Sequence, residues 1–95
     1  MFARVLHTKM GDQQIDPGTF IRENVVPRAR QQQGLKKAFW LVDTKNRRGL
    51  NVALFETLED IEANAEALRQ VQQRATEATG VTFADVEIYE LVAEI

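Results

Sequence analysis

Residues 37–57, KAFWLVDTKNRRGLNVALFET, read as a β-hairpin that is apolar on both of its faces. One arm holds Ala38, Phe39, Trp40, Leu41 and Val42 in a row; the other holds Val52, Ala53, Leu54 and Phe55. Neighbouring side chains on a strand point to opposite faces, so neither face of this hairpin can be left to water. The connecting loop, Thr44 to Gly49, is polar and ends in Gly, as a short hairpin connection requires.

The flanking segments supply cover for one face. Residues 2–10, FARVLHTKM, alternate loosely up to Gly11-Asp12 and predict a first strand. Asp16-Pro17 is a helix start, with Asp as the N-cap and Pro where no N–H is needed. Gly18, Ile21, Val25 and Ala29 then recur at helical spacing, and Gly34 is a natural residue for the left-handed end of that helix. Pro27 lies inside it and should kink or split it. After the hairpin, Thr57 is an N-cap with Asp60 as a weak capping-box partner. Leu58, Ile61, Ala65, Leu68 and Ala75 make the apolar stripe of a second helix, interrupted by Gln72 and ended by Gly80. The last segment, VTFADVEIYELVAEI, predicts one long strand from about Ala84, with a bulge near Tyr89-Glu90-Leu91 where alternation slips. The order is β-α-β-β-α-β. It predicts an α+β, ferredoxin-like domain over residues 1–95, with a four-stranded antiparallel sheet and both helices on one face.

Two helices cover one face of such a sheet, and 95 residues leave nothing for the other. Yet both sets of strand positions are apolar. One set is Ala3, Val5, Phe39, Leu41, Leu50, Val52 and Leu54; the other is Phe2, Leu6, Ala38, Trp40, Val42, Ala53 and Phe55. Leaving a large apolar side chain exposed forfeits roughly 1.5–3 kcal/mol. A homodimer packed sheet to sheet relieves this by symmetry. Phe2, Leu6, Trp40, Val42, Ala53 and Phe55 are expected at that interface, and the first set is expected to face the helices.

The totals narrow the functional classes. Net charge is -2, with a sequence pI near 5.4, which argues against a nucleic-acid binder working by bulk charge. The absence of cysteine excludes disulfides and thiolate metal sites. The opening MFARVLHTKMGD has no signal-peptide core, and no stretch is long and apolar enough for a membrane span. A cytoplasmic protein with neither a nucleic-acid nor a membrane partner is expected.

The segments MFARV, VVPRARQQQGL, AFWLVD, LNVALFET and EDIEANAEALRQVQQRA together resemble the dimeric α+β barrel proteins of the antibiotic biosynthesis monooxygenase superfamily. The resemblance spans essentially the whole chain and is closest to stand-alone members of no known activity. It implies a ferredoxin-fold homodimer with a pocket between helices and sheet. It also implies a possible activity, cofactor-independent monooxygenation of a small aromatic or polyketide-like molecule. The alternative is a non-catalytic small-molecule-binding or stress-related barrel of the same fold. The haem-degrading members have an iron-binding His on the second long helix. Residues 58–79 here contain no His, so haem degradation is not expected and no cofactor is called for.

The sole His, His7, is the candidate catalytic residue: a general base facing the pocket, able to form a carbanion that reacts with O₂. The plainer reading is a rim His bonded to a loop. Arg22, Asn24, Trp40, Asn51 and Tyr89 are candidate pocket or ligand contacts. Trp40 doubles as an interface residue, and Arg22 and Asn24 as solvated helix positions. Arg4 and Asn51, polar at inward-looking positions, would form a cross-subunit network, the favoured reading, or line a cavity. Lys45, Arg47 and Arg48 crowd the hairpin loop and read as a solvated turn that blunts edge pairing. Glu59, Glu62 and Glu66 have no His partner, so no metal site is expected.

Overall fold

The computed structural model describes residues 1–12 and 16–95. Strand β1 (Phe2–Lys9) leads to a helical stretch in three parts: α1 (Pro17–Phe20), a π-helical turn (Ile21–Val25) and α2 (Val26–Ala29). The hairpin follows as β2 (Leu35–Asp43) and β3 (Arg48–Phe55). Helices α3 (Leu58–Ala63) and α4 (Ala65–Thr79) lead to the short strands β4 (Thr82–Phe83) and β5 (Glu87–Glu90). All pairing is antiparallel, in the order β2-β3-β1-β4, with β5 also on β1. The fold is α+β and ferredoxin-like.

Local chemistry explains the element ends. Asp16 accepts from the Thr19 backbone N–H at 3.3 Å and from its hydroxyl at 2.6 Å, and Pro17 takes the first helical position. The Thr19 hydroxyl bond holds the Asp16 carboxyl below its ordinary pKa. Thr57 caps α3 by accepting from the Asp60 N–H at 3.1 Å. Gly80 closes α4 with φ +75°, a left-handed conformation that glycine adopts without steric cost.

Pro27 divides the first helical stretch as expected. It has no N–H to donate, and its ring would crowd the carbonyl four residues back, so the wider π turn stands before it. The stretch ends at Ala29, earlier than the sequence suggested. Gly34, also at φ +75°, instead joins the following turns to β2. The second helix is split at Asn64, whose buried side chain donates to the carbonyls of Gln33 (2.9 Å) and Asp60 (2.8 Å). That amide ties the start of α4 to the turn before β2.

The final strand is interrupted at residues 84–86, not near Tyr89. Phe83 pairs Thr8 while Glu87 pairs Val5, so β1 has two residues between these pairs where the partner has three. This is a one-residue bulge. The core lies between sheet and helices, where Ala53, Phe55 and Ile61 are buried and Phe2, Leu35 and Ala38 pack against them.

Gly34→Ala should lower stability by about 1–3 kcal/mol, since a Cβ there would need a left-handed backbone and would collide with the Asp60 side chain. Urea unfolding monitored by circular dichroism checks this.

Candidate functional site

The β1–β3 register decides what the helices cover. Phe2 stands opposite Phe55, Arg4 opposite Ala53, Leu6 opposite Asn51 and Thr8 opposite Gly49. On β2, Ala38, Trp40 and Val42 stand opposite Ala53, Asn51 and Gly49. These residues make rows across the helix side of the sheet. The row with Phe2 and Phe55 is closed, and Phe55 is 0% exposed. The next row is small, Ala38 and Ala53, beside the long side chain of Arg4. Small residues there leave space that the helices do not fill.

The result is a cavity of about 370 Å³ between sheet and helices. Arg4, Leu6, Trp40 and Asn51 line its floor. Phe20, Ile21 and Val25 from the first helical stretch and Leu68, Val71 and Ala75 from α4 line the opposite wall. Apolar walls with a few polar groups are the usual character of a small-molecule site.

This arrangement reverses the expected parity. Phe2, Leu6, Trp40, Val42, Ala53 and Phe55 were expected at a dimer interface; they lie on the helix side, in the core or along the cavity. The outward face carries Ala3, Val5, His7, Phe39, Leu41, Leu50, Val52 and Leu54. Both sets are apolar, so alternation alone does not choose between them. The choice follows from Phe55, which is driven under Ile61 as the chain turns into α3, and register carries every paired position with it.

His7 therefore does not face the cavity. It sits on the outer face, with Nε2 at 3.0 Å from Glu87 Oε1 and its side chain 58% exposed. Tyr89 is on the same face, opposite Ala3, and exposed. Arg22 and Asn24 are exposed on the π turn, away from the cavity wall, and Asn24 donates to the Phe20 carbonyl at 3.2 Å. Trp40 and Asn51 are the two pocket candidates that do line the cavity. Asn51 donates to the Phe39 carbonyl at 3.0 Å.

The cavity residue with the strongest chemistry is Arg4, for which the sequence favours a cross-subunit network over a cavity; it lines the cavity. It is 3% exposed. Its guanidinium carbon lies 5.0 Å from the centre of the Phe55 ring. Nη2 reaches the Gln32 side-chain oxygen at a long 3.4 Å, and among the described residues Nε and Nη1 have no hydrogen-bond partner. Burial pushes its pKa down to about 10, so it remains charged at neutral pH. Its signal in the sequence is a cation at an inward position of a central strand.

The basic loop is occupied with its own turn. Arg48 donates to Asp43 at 2.9 Å, Arg47 donates to the Gly11 carbonyl, and Asn46 bonds to Asp43 through backbone and side chain. The Asn46 side chain, and then Arg48, hold the Asp43 carboxyl below its ordinary pKa. Among the described residues, no group of three or more His, Cys, Asp or Glu side chains could hold a metal ion. No helix among them is long and apolar enough to cross a membrane.

No protein-family model and no curated protein matches the sequence. Solved structures do. A candidate antibiotic biosynthesis monooxygenase from Deinococcus radiodurans superposes with a TM-score of 0.73 at 16% identity, covering 100% of this chain and 96% of that one. An EthD-family protein from Bacillus halodurans superposes with a TM-score of 0.64 at 12% identity, covering 97% of this chain and 100% of that one. The chain shares their fold. At these identities the likeness is one of architecture, and it agrees with the family resemblance of the sequence.

Phe55→Ala should cost about 3–5 kcal/mol, as a large buried side chain is lost. His7→Ala removes only an exposed contact and should change stability by less than about 1 kcal/mol. Denaturant unfolding of the two variants checks which face the helices cover.

Proposed function

We propose that this protein is a dimeric α+β barrel that holds a small aromatic or polyketide-like molecule in the cavity between its helices and sheet. The observation that carries the reading is the cavity itself, mostly apolar with a few polar groups on its floor and large enough for a two- or three-ring molecule. A cytoplasmic location goes with it. Cofactor-independent monooxygenation of the bound molecule is the activity that the resemblance and the name of the Deinococcus protein suggest. A second reading, carriage without catalysis, is favoured by a specific observation: His7, the only His, lies on the opposite side of the sheet from the cavity.

Trp40 is the chain's single Trp and lines the cavity, so it reports on occupancy. Bound 1-anilinonaphthalene should accept energy from Trp40 saturably, and His7→Ala should leave that signal unchanged. Energy transfer no greater than in the urea-unfolded chain would count against a ligand cavity. Oxygen uptake, followed with an electrode on adding a polyphenolic naphthalene that binds, separates oxygenation from carriage.

The dimer half of the proposal rests on the outer face of the sheet. Phe39 is 50% and Leu41 52% exposed, next to the half-buried Val5, Leu50 and Val52. A second copy seated on this face would remove that surface from water. Native mass spectrometry should give a mass near twice 10.8 kDa. Leu41→Glu should shift it to the monomer while the far-ultraviolet circular dichroism stays native.

A further inference from the structure

Of the three charged residues that line the cavity, Arg4, Asp12 and Arg47, only Arg4 is buried, and it has no counter-charge within ion-pair distance among the described residues. Four ion pairs occur among the described residues: His7 with Glu87, Lys36 with Glu56, Arg48 with Asp43 and Arg69 with Glu66. None involves Arg4, although Arg4 is more deeply buried than any of these residues. A buried cation is ordinarily paired, because its lost hydration must be replaced. Among the described residues, two of the three guanidinium nitrogens lack an acceptor, and the third has only a long bond to Gln32.

The guanidinium is also held in place. It lies over the Phe55 ring, an attractive cation–π arrangement, and it stands on a central strand whose register is set on both sides by β3 and β5. Such a group is preorganised, so little ordering remains to be done when an acceptor arrives. The wall around it, Leu6, Phe20, Ile21, Trp40 and Leu68, would receive the apolar body of the same molecule.

We propose, on the reading that this cavity is a ligand site, that it selects an aromatic molecule bearing one anionic oxygen group, a carboxylate or an ionised phenol or enol, which seats against the Arg4 guanidinium. The anion replaces the hydration that Arg4 lost, and the apolar walls hold the rings. A neutral molecule of the same shape fills the walls and leaves the charge unpaired. The site therefore discriminates by charge as well as by shape. The cation then serves recognition at the expense of stability, since a well-packed apolar residue at an unpaired buried position is commonly the more stable choice.

Isothermal titration with 2-naphthoate and 2-naphthamide, two probes of nearly equal shape, tests this. The protein should bind the carboxylate at least about tenfold more tightly than the amide, as charge-assisted bonds to a desolvated cation allow. Arg4→Met should bind both probes with about the affinity the original protein has for the amide, and its Tm should rise. Arg4→Gln, neutral but still polar, should lose the same preference, and it stands in if the Met variant does not fold. Equal affinities in the original protein, or a carboxylate preference that survives in either variant, would overturn the proposal and leave a neutral-ligand cavity. Failure of both probes to bind at millimolar concentration would overturn the ligand-site reading, and this inference with it.

Discussion

Most of what this sheet does follows from the register in which β1 meets β3. Phe2 beside Phe55 closes one end of the helix side, and Ile61 seals it. One row on, Arg4 beside Ala53 and Ala38 puts a long cation among methyl groups. The large pair and the small pair are neighbours, so one protein has both a tight core and an unfilled cavity. A slip of a single residue would turn every one of these side chains to the other face. Helix, cavity and outer surface are thus consequences of one pairing choice.

The two faces of the sheet then divide their tasks. The helix side holds Phe55, Trp40 and Arg4, and the cavity lies between it and the helices. The outer side holds Phe39 and Leu41, with His7, Glu87 and Tyr89 toward its far edge. An apolar sheet that is covered on one side only has an unmet need on the other. The ligand and the partner copy proposed above answer separate needs of the same strands, on opposite sides of one layer of backbone.

Element order, both N-caps and the division at Pro27 were legible in the sequence because each depends on nearby residues. Asp16-Pro17 and Thr57 act within one turn of themselves, and Pro27 disrupts its own helix. The facing of the strands was not legible in the same way. With Ala38 to Val42 apolar throughout, alternation gives two answers of nearly equal merit. Arg4 and Asn51 do not decide between them, because a charge and an amide at that parity suit a cross-subunit network, the reading the sequence favours, as well as a cavity. What resolves them is the cavity, a three-dimensional object with no local signature. The break at Asn64 was hidden for a related reason: its partners, Gln33 and Asp60, come together only in the folded chain.

The bulge at residues 84–86 has a consequence for descent. The residue it inserts lets Phe83 and Ile88, five positions apart, sit on the same side of the sheet, opposite Thr8 and Arg4. A strict two-residue alternation would put them on opposite sides. A lineage that lost one residue from this short loop would set two residues against two, and would keep Phe83 opposite Thr8 and Ile88 opposite Arg4 without a bulge. One that lost two, with Phe83 still opposite Thr8, would bring Glu87 and Tyr89 inward, opposite Leu6 and Arg4. The bulge thus lets this loop lose one residue with no change at the cation, whereas the loss of a second would exchange its aliphatic neighbour Ile88 for a phenol.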